Sequence, residues 1–183
     1  MIQLDRQRIL EALDELSRRL AQRGAIAEVC LFGGAAMILA FQSRQTTKDI
    51  DAIFAPTTLV RELAEEIGRE HGYDAGWFND GVKGFVSEKG EFTPANLPQF
   101  PSLRVMMPVP TYLLAMKCLA ARVATPDATD VQDVTFLVKH LGLRQASEIL
   151  NIVEAYYPRN LIQPKTQYFV EAILEEIQHE NPS

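Results

Sequence analysis

The residue pattern is that of an α+β protein, a small mixed sheet flanked by helices with a helical C-terminal part. Three observations carry this reading. Short apolar, β-compatible runs at 26–32, 49–54 and 103–107 alternate with stretches of helical periodicity. Beyond Pro110 almost every segment repeats at helical spacing. No internal repeat or low-complexity tract divides the chain.

The first amphipathic helix is expected over 5–22, where Ile9, Leu10, Leu13, Leu16 and Leu20 share one stripe and Gly24 stands where a C-terminal cap belongs. A buried strand over 26–32 ends on Gly33 and Gly34, and 35–41 resumes helical character. The second strand, 49–54, is closed by Pro56 and Thr57 before a helix over 59–71. Residues 72–101 hold five glycines and three prolines among scattered aromatics, which reads as loops and short pieces, with the cluster near Trp77 assigned to the core. A third strand over 103–107 is stopped by Pro108 and Pro110. Helices are then expected over 111–123, 129–141, 144–157 and 167–178, separated by Pro126, Gly142 and the stretch from Pro158 to Pro164.

Composition fits one folded unit spanning 1–183, with 1–108 as the α/β core and 109–183 as the helical part. The chain is 47% hydrophobic, enough for a core of ordinary size, and 23% charged with both signs interspersed, which argues against disorder. A formal net charge of −6 argues against a non-specific grip on nucleic acid, which needs excess Lys and Arg. Cys30 and Cys118 sit in apolar runs and read as reduced, buried side chains. The opening MIQLDRQRILEALDELSRRL is charged throughout, unlike a secretory leader, and no apolar run reaches membrane-spanning length. A cytoplasmic location without membrane contact is the expectation.

The chemistry concentrates in LFGGAAMILAFQSRQTTKDIDAIF, residues 31–54. Asp49, Ile50 and Asp51 alternate on a strand, so both carboxylates share a face while Ile50 enters the core. Two acids that close repel unless a cation compensates, and hard oxygen donors suit Mg²⁺ (or Mn²⁺). Gly33 and Gly34 open the following helix, where backbone N–H groups can meet a phosphate without a Cβ in the way. Arg44 and Thr47 precede the acids in a loop that can offer a guanidinium and a hydroxyl to an anion.

These residues resemble the nucleotidyltransferase superfamily related to DNA polymerase β, whose pattern is a hydrophobic residue, Gly, Gly or Ser, then an acid-hydrophobic-acid triplet. Here they are Phe32, Gly33, Gly34, Asp49, Ile50 and Asp51. The string Arg44, Thr47, Lys48, Asp49, Ile50, Asp51 is similar to the variant in the bacterial AbiEii and MenT-type toxin branch and in the DUF6036 family, and Trp77, Phe78, Asn79 and Asp80 add to the latter likeness. The resemblance spans about 26–141.

The resemblance implies the fold of that superfamily and transfer of a nucleotidyl group from an NTP to a tRNA-like or protein acceptor, with a cognate antitoxin as a partner. It implies metal binding by Asp49 and Asp51, nucleotide contacts from Gly33, Gly34, Arg44, Thr47 and Lys48, a phosphate contact from Lys117, and organisation of the site by Asp130 and Asp133. One departure stands out: the strand over 103–107, LRVMM, has no acid where polymerase β-like enzymes carry a third. The alternative is therefore a catalytically degenerate nucleotide-binding or interaction module of the same fold. Ordinary structural roles also exist for the downstream residues. Lys117 can snorkel its ammonium to solvent from a core helix, and Thr129 or Asp130 can cap the helix that follows.

Overall fold

Asp5 starts the first long helix as its cap: the carboxylate accepts the Arg8 N–H at 2.8 Å, satisfying an amide that no earlier turn can reach. The computed structural model describes residues 2–121 and 128–180. In it a two-residue strand β1 (Leu4–Asp5) runs into α1 (Arg6–Gln22), which buries Ile9, Leu13, Leu16 and Leu20, and the chain turns away through Gly24 at φ +64°.

Strand β2 (Ala27–Leu31) leads directly into α2 (Gly33–Ala36), which continues as a π-helical turn over Met37–Phe41. The helix thus begins at Gly33 rather than at residue 35, and its last turn is wider than an α-turn. A short β3 (Thr46–Thr47) pairs antiparallel with β1. Asp49 stands just before β4 (Ile50–Ala55), and α3 (Thr57–His71) follows. The glycine-rich stretch holds β5 (Phe78–Asn79), a 3₁₀ turn over Gly81–Phe85 and β6 (Phe92–Pro94), and then comes β7 (Leu103–Pro108).

These strands form a five-stranded mixed sheet in the order β5-β4-β2-β7-β6. β2 lies antiparallel to β4 and parallel to β7, β4 is parallel to β5, and β6 is antiparallel to β7. Registration puts Val29 opposite Phe54, Leu31 opposite Ala52 and Ala27 beside Leu103, all of them buried. Helices α1 and α3 pack against the sheet, α1 on β7 and α3 on β4. The Ser17 hydroxyl accepts the Ser102 N–H at 3.0 Å, and Arg19 on α1 reaches Glu66 at 3.4 Å and Glu70 at 2.5 Å on α3. The alternate positions Glu28, Cys30, Ile53, Arg104 and Met106 are exposed or half-buried. Cys30 is thus half-buried rather than buried, whereas Cys118 is fully enclosed and burial pushes its thiol up to about 12, leaving it inert.

Trp77 is core, as its place in an aromatic cluster implied. Its indole N–H donates to the Ala64 carbonyl at 2.9 Å, and the ring lies so close to α3 that a Cβ on Gly68 would come within 2.5 Å of Nε1. Gly68→Ala is therefore expected to destabilise the protein by about 1–3 kcal/mol through overpacking. A thermal melt followed by Trp fluorescence checks it, and an unchanged midpoint would refute the tight contact.

The chain divides into two compact units, Met1–Gly84 with Phe92–Pro108, and Phe85–Glu91 with Val109–Ser183. The second is helical: α4 (Pro110–Ala120), α5 (Ala128–His140), α6 (Ala146–Tyr156) and α7 (Pro164–Glu180). Pro110 opens α4, where its missing N–H costs nothing, and the helix is apolar on nearly every side, with Tyr112, Leu113, Leu114, Ala115, Met116 and Cys118 buried. Glu148 closes a capping box at α6 by accepting the N–H groups of Arg144 and Gln145, each at 2.8 Å, which holds its carboxyl below the usual range. Residues 85–91 lie across this unit as a strap: the Ser87 N–H donates to the Tyr112 hydroxyl at 2.8 Å and the Ser87 hydroxyl to the Tyr156 carbonyl. Thr129 and Asp130 do not cap α5, because the helix has already begun at Ala128 and places them in its first turn. The expected helix end at Val123 and the separator Pro126 lie outside the described residues. Among the described residues no helix is long and apolar enough to cross a membrane.

Candidate nucleotide and metal site

β2 and β4 are joined where they matter most. The Phe32 N–H donates to the Asp51 carbonyl at 2.8 Å, so the turn that follows β2 is registered against the acid-bearing strand. Gly33 then takes φ +55°, a left-handed conformation in which a side chain is strained, and a Cβ there would stand 2.5 Å from Asp51 Oδ2. At Gly34 a Cβ would overlap the Thr47 hydroxyl and come within 3.0 Å of Arg44 Nη1. The two glycines therefore do more than open a helix. They let a carboxylate at Gly33 and a guanidinium and hydroxyl at Gly34 close onto bare backbone, at a helix start whose N-cap, Phe32, contributes no side-chain hydrogen bond.

Ile50 is fully buried while Asp49 and Asp51 on either side are half-buried, the alternation expected of a strand with one face in the core. Desolvation lifts the Asp49 carboxyl above its usual range, against the pull of Lys48 and Arg44 and a hydrogen bond from its own backbone amide. Arg44 is half-buried, Thr47 buried and Lys48 exposed. The structure thus gathers Gly33, Gly34, Arg44, Thr47 and Asp51 in direct apposition, with Asp49 two residues along and Lys48 at the solvent edge.

The donors fit a hard divalent cation. They are carboxylate oxygens, and among the described residues there is no group of three or more His, Cys, Asp or Glu side chains that could hold a metal by itself. Asp49 and Asp51 would supply a cation here with two carboxylate ligands, and water and phosphate would complete its shell, the way Mg²⁺ is ordinarily held. The third strand acid is absent, as the residue pattern implied: β7 ends on Met106, Met107 and Pro108, and Pro108 pairs with Phe92, whose ring meets Phe32 edge to face at 5.9 Å between centroids.

Asn79 is the register partner of Asp51 on β5, a neighbour that sequence pattern did not reveal. A two-residue strand has no periodicity to read. Its amide is occupied with its own loop, accepting the Gly81 N–H at 2.9 Å and donating to the Gly76 carbonyl at 3.3 Å.

Lys117, Asp130 and Asp133 belong to the second unit. Lys117 on α4 donates to Asp133 on α5 at 2.6 Å, with side chains 10% and 1% exposed. Lys117 therefore does not snorkel: its charge is buried against a buried carboxylate. Asp130 stands one turn earlier on α5, half-buried.

A family model described as a nucleotidyltransferase of unknown function, DUF6036, matches residues 8–160. The chain belongs to the DUF6036 family. That match covers every residue of the glycine turn and the acid pair in the first unit and the Lys117–Asp133 pair in the second. No curated protein and no solved structure matches the chain.

Proposed function

We propose that this DUF6036 protein transfers a nucleotidyl group from an NTP to an acceptor with the help of Mg²⁺ or Mn²⁺. The observation that carries the reading is the close approach of Asp51 to Gly33 and of Thr47 and Arg44 to Gly34. A bare-backbone turn, a cationic side chain and a carboxylate meet within one small volume, as recognition of a triphosphate requires.

In this reading Asp49 and Asp51 hold the cation, which when bound neutralises phosphate charge. The glycine turn seats the phosphate tail through backbone N–H groups. Arg44 pairs with a phosphate oxygen, Thr47 offers its hydroxyl, and Lys48 attracts the nucleotide from the solvent edge. Lys117, with Asp133 and Asp130, enters the proposal on family likeness alone. The likeness to the toxin branch supports a tRNA-like acceptor and a cognate antitoxin; a protein hydroxyl is the other acceptor class. A second reading, a nucleotide-binding or interaction module that no longer transfers, is favoured by one observation: β7 offers no third carboxylate.

Incubation with each labelled NTP, Mg²⁺ or Mn²⁺, and total RNA or lysate separates the two. Transfer is expected, and Asp49→Ala or Asp51→Ala should lower it at least about a hundredfold. Binding without transfer across all four nucleotides and both acceptor classes would establish the module instead. Because burial raises the Asp49 carboxyl, the folded state binds more protons than the unfolded one just above the usual carboxylate pKa. Its stability contribution therefore falls as pH rises through that interval. Asp49→Asn should accordingly raise the melting temperature at neutral pH in metal-free buffer and abolish any further rise on adding Mg²⁺.

A further inference from the structure

The segment bearing Arg44, Thr47, Lys48 and Asp49 has little regular structure of its own. It leaves α2 at Gln42 in the left-handed region, φ 53°, and is tied back at once by the Ser43 N–H and hydroxyl, which donate to the Met37 carbonyl at 3.4 and 3.3 Å. Its only named strand, β3, joins no part of the five-stranded sheet. It pairs with β1, Leu4 opposite Thr47 and Asp5 opposite Thr46.

A two-residue ladder is too small to persist unaided. Two features anchor this one. Leu4 is 0% exposed, so its side chain is sunk in the core of the first unit beside Thr47, itself 5% exposed. The strand is also continuous with α1, whose cap ties it down: Asp5 accepts the Arg8 N–H, the Arg8 guanidinium donates to the Gln3 carbonyl at 2.8 Å, and the Thr46 hydroxyl donates to Gln3 Oε1 at 3.3 Å. A continuous line of contacts therefore runs from the capped start of α1 through Gln3 and Leu4 to Thr46 and Thr47, and ends where Thr47 presses on Gly34.

We propose that Gln3, Leu4 and Thr46 are positioning residues, a strap that holds the segment 44–49 against the glycine turn before nucleotide arrives; this rests on the nucleotide reading given above. None of the three touches nucleotide in that reading. They act through Thr47 and its neighbours. Ordering a loose segment costs conformational entropy, and a strap formed in advance removes that cost from binding. Its loss should therefore raise the nucleotide Kd and KM and leave kcat at saturation little changed.

The test uses the full chain and each Mg²⁺-nucleotide as probe, well below the melting midpoint of every variant, together with amide hydrogen exchange. Leu4→Ala is expected to weaken nucleotide affinity by about tenfold or more. Leu4→Met, close in volume, should restore affinity to within about twofold. Thr46→Val keeps the β-branched shape but removes the bond to Gln3, and should weaken affinity by about threefold. It also serves if Leu4→Ala fails to fold. In both weakened variants, exchange at 44–49 should quicken while α1 stays protected. Unchanged affinity in a folded Leu4→Ala or Thr46→Val chain overturns the strap, whatever exchange does. If the wild-type chain binds no nucleotide, the nucleotide reading fails by itself and exchange decides the strap: faster exchange at 44–49 in Thr46→Val supports it, and unchanged exchange overturns it.

Discussion

Gly33→Ala should abolish Mg²⁺-dependent nucleotide binding and lower stability together. The backbone contribution alone is about 1–2 kcal/mol, because φ +55° is disfavoured for any residue with a Cβ. In a chain of this size that corresponds to about 2–8 °C in melting temperature. The larger consequence is local. The new methyl would stand 2.5 Å from Asp51 Oδ2, and since a carboxylate swings more easily than a registered strand end shifts, Asp51 would leave its position. Gly24→Ala separates the two effects, since Gly24 has φ +64° and a methyl placed on it would meet nothing within 4 Å. It should lose similar stability and keep nucleotide binding. Equal nucleotide responses in the two variants, by thermal shift or calorimetry, would show that the glycine turn has no part in the site.

The other large effect is expected from the Lys117–Asp133 pair. Removing one member of a buried ion pair typically costs about 3–5 kcal/mol, because the remaining charge stays desolvated. With Asp133 only 1% exposed, Lys117→Met should sit in that range and lower the melting temperature by more than about 6 °C. The double variant Lys117→Met, Asp133→Leu removes both charges and should recover much of the loss, since apolar replacements of similar size often match a buried pair in stability. Chemical denaturation of the two singles and the double gives the coupling directly. A double variant no more stable than the worse single would show that the pair's surroundings need its polarity. If the double variant is stable but transfers no label, the pair contributes to function and not only to the fold.

The acid pair, the glycine turn and the helical second half were legible in the sequence because each depends on local rules. Alternation placed Ile50 in the core with acids on both sides, and a double glycine after an apolar run marked a strand-to-helix turn. Helix boundaries were legible to within a few residues, since caps and prolines are local signals. Two helices start slightly earlier than expected: α2 at Gly33, because its apolar residues begin only at Ala35, and α5 at Ala128, because polar residues that cap well also sit well in a first turn.

What the sequence determined by itself was the α+β class, the DUF6036 likeness and the chemical identity of the groups in the glycine and aspartate motifs. Tertiary structure alone decided which groups meet. No spacing rule pairs Leu4 with Thr47, Asp51 with Asn79 or Lys117 with Asp133, because each contact depends on strand order or helix packing between segments distant along the chain. The same holds for the glycine turn itself: that Gly33 must lack a side chain follows from φ +55°, but that the missing side chain makes room for Asp51 follows only from the antiparallel register of β2 and β4.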